Sequence, residues 1–414
     1  MIKDYLSNFQ PSWQRYVDRG LLLSVVLLTG LGLVIMMSAS VAVAEKNYSD
    51  IYFFLKRQMF FLIIGLIMAY FVYRIKTSFW QHFGAKLLPI VMLLLVAVLL
   101  PVIGKEVNGS HRWINLGPVS MQVSEMAKLI MIMYMSGYLV RHGKELAHSN
   151  SFQPLLIPLL VLGLIDALLM LEPDFGSVVV VTATGIALLF LGGLKLSRLT
   201  MLFVGAIAVM IPLVMMGYRG ARVTAFLDPW SHASGKAYQT VHALMAVGDG
   251  GWFGAGLGAS VQKLFYLPEA HNDFIFAVLA EETGFIGIVI TLFLYAWFVQ
   301  RAFVIGFRAD RAKLNFAAYL AYGIGFWMGF QVLFHIGVNL ALLPPKGLTL
   351  PLISYGGSSL LVTLMAIALL MRVHRDTQIA LFGVSDKEAQ KQKNKMRQKA
   401  RTQKKAKSGA SYAR

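Results

Sequence analysis

Long, continuous apolar runs recur about ten times along this 414-residue chain and limit what it can fold into. Each run has roughly 18 or more residues, the length that a helix needs to cross the hydrocarbon core of a bilayer. Because the runs are continuous rather than alternating, they indicate helices and not the strands of a membrane barrel. The predicted spans are residues 21–43, 52–73, 84–103, 122–140, 153–171, 175–194, 199–217, 273–300, 314–343 and 352–371.

The composition supports the same conclusion, with 57% hydrophobic residues, 14% charged residues and a mean hydropathy of +0.64. We therefore predict an all-α integral membrane protein of about ten transmembrane helices. Its predicted parts are a cytoplasmic segment at 1–20, a membrane domain at 21–371 and a basic, disordered cytoplasmic tail at 372–414. Between predicted helices 7 and 8, residues 218–272 are too long for a simple connection and indicate a structured extracytoplasmic loop with short helices.

The positive charges predict the orientation and limit the partners. Lys and Arg concentrate in alternate connecting segments, which places both termini in the cytoplasm. The tail carries 13 Lys or Arg against three acidic residues. Directly after a final membrane helix, such a tail is typical of an anchor attracted to anionic lipid rather than of a nucleic-acid-binding segment.

Two further features of the sequence limit the class of protein. The first apolar run is long enough to be a retained membrane anchor. The absence of cysteine excludes disulfides and thiolate chemistry.

Two polar patches lie at the predicted outer ends of the first helices. Arg112 begins the first patch, which continues into Glu125 and Lys128 on the next helix. Because these two residues are three positions apart, they share a helix face and can form an ion pair. A structural ion pair and a role near a substrate both remain open. The second patch is the acidic turn that contains Glu172 and Asp174.

The third patch combines a loop with the start of a helix. Arg219 and Arg222 in the long outer loop could bind phosphate through bidentate hydrogen bonds. The loop leads to Glu269, His271 and Asp273, immediately before a long apolar run. Ionisable groups at such an edge are usually functional, although a helix N-cap is the simpler interpretation of Asp273 alone.

The fourth patch surrounds Lys346, which follows two prolines and precedes a turn that contains Ser354 and Ser358. A lysine in such a segment is not expected to stabilise the fold, so we predict that it contacts the substrate. Upstream, His335 and Asn339 are four residues apart on one helix face, a spacing that favours hydrogen bonds between helices. Asp166 lies inside the fifth apolar run and requires a partner that the sequence does not identify.

These patches, in this order on about ten helices, closely resemble the SEDS family (shape, elongation, division and sporulation) over roughly residues 15–380. The segments that carry the resemblance are Arg112–Pro118, Ser124–Lys128, Pro268–Phe274 and Lys346–Ser359. The Pro-Glu-Ala-His and Lys-Gly-Leu-Thr sequences resemble the cell-division branch more than the elongation branch. Two positions differ from the usual pattern, where Asn272 replaces threonine and His335 replaces asparagine.

The resemblance implies a peptidoglycan glycosyltransferase that polymerises lipid II at the septum, on the outer face of the bacterial cytoplasmic (inner) membrane. It also implies a class B penicillin-binding protein and other divisome proteins as partners, and it places the family's essential aspartate at Asp273. A lipid II flippase, an elongation-type polymerase and a scaffold are the alternatives. Clustering of the informative residues on the outer side favours the enzyme over the flippase.

Chemistry assigns roles to the same residues. The acceptor hydroxyl of such a reaction is a poor nucleophile, so a carboxylate must take its proton during attack on the donor sugar. Asp273 is the candidate general base. The pyrophosphate leaves with negative charge, which cations could stabilise. The candidates are Arg112, Arg219, Arg222 and Lys346, or a divalent cation such as Mg²⁺ or Mn²⁺, and no covalent cofactor is expected. Glu125, Lys128, Glu269, His271, Ser354 and Ser358 are further candidate substrate-binding residues.

Overall fold

The computed structural model of this chain describes residues 16–100, 103–107, 110–115, 117, 120–148, 152–215, 226, 228–235, 237–345 and 347–382. Within these residues the fold is a helical bundle with one small sheet, which confirms the helical membrane architecture. The helices are α1 (Arg19–Tyr48), α2 (Phe53–Arg74), α3 (Thr77–Val98), α4 (Val123–His148), α5 (Gln153–Leu171), α6 (Phe175–Leu191), α7 (Leu196–Met215), α8 (Tyr238–Asp249), α9 (Ile275–Arg311), α10 (Asn315–Asn339) and α11 (Gly357–Phe382).

Eight helices in the described part of the chain are long and apolar enough to cross a membrane, namely α1–α5 and α9–α11. The helices α6 and α7 occupy the two remaining predicted positions. With 17 residues, α6 is slightly shorter than the other spanning helices. It nevertheless lies alongside α4 from one end to the other. Its first turn lies beside Gln122, just before α4, where the Gln122 amide donates to Asp174. Past its other end, a Cβ added to Gly193 would be 3.0 Å from the Cβ of Ala147 near the end of α4.

Burial separates central from peripheral helices. Most residues of α4 and α11 are buried, whereas α2, α3 and α5 expose broad apolar faces. Such faces are expected on helices that contact lipid, because exposed apolar side chains carry no cost in a bilayer. The core between them is filled by side chains such as Trp327, Phe276 and Met131, all fully or almost fully buried.

A three-stranded antiparallel sheet precedes α4 and was not predicted from the sequence. It consists of β1 (Gly104–Val107), β2 (Ser110–Asn115) and β3 (Ser120–Gln122), in the order β1-β2-β3. In its register, Trp113 of β2 pairs with Gln122 of β3. Because β3 leads directly into α4, the sheet fixes Arg112 on β2 close to the first turn of that helix.

Charged residues fasten the helix ends at the opposite end of the bundle from Asp273. The Arg301 guanidinium of α9 forms an ion pair with Asp18, which caps α1 by accepting from the Leu21 N–H at 2.9 Å. On α11, Asp376 accepts from Thr77 Oγ1 at 2.8 Å and pairs with Arg372 at 2.7 Å.

Several helices extend past their predicted ends, including α1 to Tyr48 and α4 to His148. The apolar run that predicted α9 ends near residue 300, but the helix continues to Arg311. Similarly, α11 continues to Phe382 through the predicted start of the tail at 372. The cause is side-chain pairing, since the pair between Arg372 and Asp376 is four residues apart on one face and supports the helix beyond its apolar part. Residues 1–15 and 383–414 lie outside the described residues.

Candidate active site

Segments from all four polar patches meet where α9 begins. The turn before α9 is organised by one carbonyl, because the backbone N–H groups of Asn272, Asp273 and Phe274 all donate to Glu269 O, at 3.0, 3.1 and 3.3 Å. Glu269 itself has a left-handed backbone, with φ of 56°. Phe274 occupies the N-cap position of α9 and makes no side-chain cap hydrogen bond. The carboxylate of Asp273 is therefore not used as a helix cap.

Asn339, at the end of α10, holds this turn against the bundle. Its Nδ2 donates to Asp273 O at 3.2 Å, and its Oδ1 accepts from the Ala277 N–H at 3.1 Å. Asn339 is fully buried. The predicted hydrogen-bonding role of Asn339 between helices is thus observed, and its partners are the backbone on both sides of the α9 start.

The environment of Asp273 is that of a carboxyl group with a raised pKa. The side chain keeps some exposed surface, yet dense protein surrounds it. This burial raises the pKa of Asp273 to about 7, with Glu269 and Asp174 acting in the same direction and Arg112 opposing them. The Gly347 backbone lies close by, since a Cβ added there would be 3.1 Å from Asp273 Oδ2.

Arg112 connects the sheet to the acidic turn between α5 and α6. Its Nε donates to Glu172 O at 2.8 Å and its Nη2 donates to Pro173 O at 2.6 Å. Both bonds are to neutral carbonyls, so they orient the guanidinium without neutralising it. Burial, and to a smaller extent the nearby Asp174, raises the pKa of Glu172 to about 8, although the Arg112 guanidinium acts to lower it. Both carboxylate oxygens of Glu172 are buried without a hydrogen-bond partner, which favours its protonated form near neutral pH.

Asp174, the second acid of the turn, is a helix cap. It accepts from the backbone N–H and the hydroxyl of Ser177, at 3.2 and 2.8 Å, and from Gln122 Nε2 at 3.3 Å. These bonds join the start of α6 to the start of α4. The acidic turn therefore places the Asp174 carboxyl group where it helps to raise the pKa of Asp273, and it supplies the carbonyls that hold Arg112.

Glu125 and Lys128 form the ion pair that their spacing predicted, and it is buried. Lys128 Nζ lies 2.7 Å from Glu125 Oε1 and donates to Gln331 Oε1 at 3.1 Å. Gln331 also accepts from Trp327 Nε1 at 2.8 Å and donates to Thr349 O at 2.8 Å. The pair thus joins α4, α10 and the segment before α11. Gln331 was missed from the sequence, although an amide inside an apolar run is a signal for such a role.

Ser354 and Ser358 hold the segment before α11 in place. Ser354 Oγ accepts from the Leu350 N–H and donates to Asn272 O, both at 2.8 Å. Ser358 Oγ accepts from the Gln122 N–H at 2.9 Å and donates to Ser120 O at 3.1 Å. These contacts bring the fourth patch to the first and third patches. A substrate-binding role for either serine stays a prediction.

The histidines of the site region are packed rather than exposed. His271 lies between Phe54 and Tyr355, with ring centroids 4.6 and 5.7 Å away, and burial lowers its pKa although Glu269 opposes this. The Nδ1 of His335 lies 2.6 Å from Leu348 O.

The structure also identifies the partner of Asp166, which the sequence did not. It is Thr182, whose hydroxyl donates to Asp166 Oδ2 at 2.6 Å.

Three predicted cations, Arg219, Arg222 and Lys346, lie outside the described residues, and their roles stay predictions. Among the described residues of that segment, Gly347 lies close to Asp273, since a Cβ added there would be 3.1 Å from Asp273 Oδ2. Among the described residues, no group of three or more His, Asp or Glu could hold a metal ion. The use of Mg²⁺ or Mn²⁺ also stays a prediction.

A family model described as "Cell cycle protein", which covers FtsW, RodA and SpoVE proteins, matches residues 19–379. This chain belongs to the SEDS family. The match confirms the resemblance drawn from the motifs and spans all four patches.

Similar SEDS proteins carry a common name. The chain is 51% identical over 377 residues to the probable peptidoglycan glycosyltransferase FtsW of Thioalkalivibrio sulfidiphilus, covering 91% of this chain and 94% of that protein. It is 45% identical over 370 residues to the probable peptidoglycan glycosyltransferase FtsW of Legionella pneumophila, covering 89% of this chain and 93% of that protein.

Solved SEDS structures share the fold. A chain in the structure of a peptidoglycan synthase complex that coordinates polymerization and crosslinking has a TM-score of 0.73 and 30% identity. The rod shape determining protein RodA of Thermus thermophilus has a TM-score of 0.63 and 30% identity. The matches cover 87% of this chain in both cases, and 98% and 97% of those chains.

Proposed function

We propose that this chain is a cell-division peptidoglycan glycosyltransferase that polymerises lipid II into glycan strands. The observation that carries the proposal is the carboxyl group of Asp273, with a pKa of about 7 where segments of all four patches meet. A general base works best when its pKa lies near the operating pH. The name shared by relatives of about half identity supports the same activity.

In the proposed reaction, Asp273 takes the proton of the 4-hydroxyl of the acceptor GlcNAc. The resulting oxygen nucleophile attacks the anomeric carbon of the donor MurNAc and inverts its configuration from α to β. The bond to undecaprenyl pyrophosphate breaks, and the leaving group carries away the electron pair. Asn339 and the Glu269 carbonyl keep the base in position, which matters because rate depends steeply on placement.

The departing pyrophosphate requires positive charge. Arg112 suits this role because its two observed hydrogen bonds are to neutral carbonyls, which leaves its charge available to a phosphate. Lys346, Arg219 and Arg222 complete the proposed cationic set, with Mg²⁺ or Mn²⁺ as an alternative source of charge. Glu172, with a pKa of about 8, would be neutral at pH 7 and would not repel the leaving group.

The proposed place of action is the outer face of the bacterial cytoplasmic membrane at the division septum, with both termini in the cytoplasm. The proposed partner is a class B penicillin-binding protein, together with other divisome proteins. The likeness to a chain of a peptidoglycan synthase complex supports a partner that crosslinks the glycan. The relatives named FtsW favour a division role over an elongation role.

The deciding experiment separates polymerisation from transport. Purified protein is incubated with lipid II, with and without the partner, and glycan chains are measured after gel separation. We expect glycan from the wild-type protein and only near-background glycan from Asp273→Asn. In parallel, lipid II movement across vesicles is followed with the same samples. Movement of lipid II without any glycan product, with the partner present, would reject the proposal in favour of the flippase.

A further inference from the structure

The loop between α8 and α9 exposes its apolar side chains and buries its polar ones. Over residues 251–265 every exposed side chain is apolar, whereas the polar residues Ser260, Gln262 and Lys263 are buried. The exposed side chains include Phe253 at 81% and Trp252 at 69%. A loop in water shows the opposite distribution. This one is built for an apolar surrounding.

The backbone of this loop is paired with a break in α9. At Gly284 the helix has a non-helical backbone, with φ of 65° and ψ of −165°. The break frees two carbonyls, and Glu281 O and Glu282 O accept from the N–H groups of Ala255 and Gly256 at 2.9 and 3.1 Å.

On the other side of the break, the N–H groups of Phe285 and Ile286 donate to Gly251 O and Trp252 O, at 2.9 and 3.2 Å. The contact is so close that a Cβ added to Gly284 would be 2.3 Å from Gly254 N. These four bonds pair the backbone groups freed by the break with groups of the loop, as burial away from water requires.

Two acidic residues complete this pairing. The carboxylate of Glu281 accepts from Ser260 Oγ at 2.5 Å and from the Val261 N–H at 2.7 Å. Glu282 Oε1 lies 2.6 Å from Lys263 Nζ, so the one charged side chain of residues 251–265 is neutralised and buried. Uncompensated charges would be too costly at membrane depth, and this loop has none.

Contacts with the neighbouring helices give the depth of the loop. Glu282, whose carbonyl bonds to Gly256 just before the break, lies about 10 Å along the α9 axis from Ile275, at about 1.5 Å per residue. Lys263 Nζ donates to Ser38 of α1 at 2.8 Å, below the end of the α1 apolar run at Val43. Nearer the end of α1, Lys46 Nζ lies 4.5 Å from the ring centroid of Phe265. A lysine at the end of an apolar run marks the level of the lipid headgroups.

The exposed surface of the loop continues the lipid-facing stripe of α9. Trp252 contacts Phe285 edge to face, with ring centroids 5.2 Å apart. From there the exposed side chains of α9 follow at helical spacing, namely Phe285, Ile286, Val289, Ile290 and Phe293. Loop and helix therefore present one apolar surface.

We infer that residues 250–266 form a re-entrant loop that enters the bilayer from the end of the bundle that holds Asp273, with its exposed side chains against the acyl chains of membrane lipids. We assign the surface to acyl chains because it carries no exposed charge between Gly251 and Phe265, and the indole N–H of Trp252 is its only exposed side-chain hydrogen-bonding group. A protein interface at this place would need a polar rim.

The absence of cysteine from the sequence permits a direct test. Single cysteines replace Leu257 and Ala259 in the loop, and each is labelled with the environment-sensitive dye NBD in liposomes of phosphatidylethanolamine and phosphatidylglycerol. Ile290→Cys, on the exposed stripe of α9, is the control for lipid contact. Ser234→Cys, exposed before α8, is the control for water contact. Quenching by acyl-chain doxyl lipids is compared with quenching by aqueous iodide.

We expect the labels at 257 and 259 to have blue-shifted emission and to be quenched by doxyl lipids as the label at 290 is, while iodide quenches only the label at 234. Iodide quenching at 257 and 259 equal to that at 234 would overturn the inference. Ala259→Cys changes one small exposed side chain, so it carries the test if Leu257→Cys does not fold. Thermal unfolding of each labelled variant confirms the fold.

Discussion

The side chain of Asn339 donates a hydrogen bond of 3.2 Å to the backbone carbonyl of Asp273. The same side chain accepts from the Ala277 N–H, so the end of α10 clamps the start of α9. Asn339→Ala should lower kcat about tenfold to a hundredfold by loosening the base, with a smaller effect on KM. It should also cost about 1–3 kcal/mol of stability, because the buried Ala277 N–H loses its partner.

Steady-state polymerisation and thermal unfolding measure these two effects. Asn315→Ala, at the exposed opposite end of α10, is the matched control and should change neither. A variant at 339 with unchanged kcat would contradict the positioning role.

The pKa of Asp273 predicts a pH dependence. Because burial raises this pKa to about 7, the carboxyl group is protonated and inactive as a base below pH 7. The rate should rise about tenfold per pH unit up to pH 7 and then level off. Asp273→Asn should lose about 10² to 10⁴ in rate while still binding lipid II, and Asp273→Glu should be strongly impaired. Rate profiles from pH 5.5 to 9 on one folded preparation provide the check. A flat profile for the wild-type protein would show that Asp273 does not titrate in the reaction.

Gly347 should tolerate no side chain. A Cβ at this position would be 3.1 Å from the carboxylate of Asp273, so Gly347→Ala should displace the base by tenths of an ångström and lower kcat about tenfold. The melting temperature should change little. Gly248→Ala on α8 is the control, because a Cβ there would meet nothing within 4 Å. Equal activity of the two variants would argue that the 347 segment moves away from Asp273 in the working enzyme.

The buried pair of Glu125 and Lys128 should behave as a unit. Lys128→Met leaves a buried carboxylate without its cation and should cost about 3–5 kcal/mol of stability. The double variant Glu125→Gln with Lys128→Met should recover most of this loss, since no unpaired charge remains. Unfolding of the four proteins of the cycle in detergent measures the coupling. Additive losses would mean that the two side chains act independently.

The tail should be dispensable for the reaction, but its boundary lies later than the sequence indicated. Truncation after Phe382 removes only residues beyond α11 and should leave polymerisation intact. Truncation after Met371 removes the pair between Arg372 and Asp376 and the contact with Thr77, so it should lower the melting temperature. Loss of glycan synthesis in the well-folded longer protein would assign the tail a role in the chemistry.

The apolar runs predicted the helices because burial in lipid dominates their free energy, and they failed where polar contacts extend a helix. Arg372 is the clearest case, since it donates to Tyr73 O and Arg74 O on another helix, contacts that no local sequence pattern reveals. The sheet at 104–122 was missed because its strands are short and lack a repeating apolar alternation. The role of Glu281 and Glu282, which hold the loop at 250–266, cannot be read from their position inside an apolar run. Their role depends on the break in α9 at Gly284. That break packs against the loop backbone, a contact that the sequence alone does not reveal.

The contact between Asp18 and His374, with Nδ1 and Oδ2 3.8 Å apart, has a topological consequence. It places the beginning of α1 and the last turns of α11 at one point, so the chain returns to the side from which it started. The number of membrane crossings between these residues must therefore be even, whichever orientation the positive charges select. A short linker could therefore join the start of α1 to the end of α11. This makes the bundle a candidate for circular permutation, with new termini in an exposed connection between two other helices.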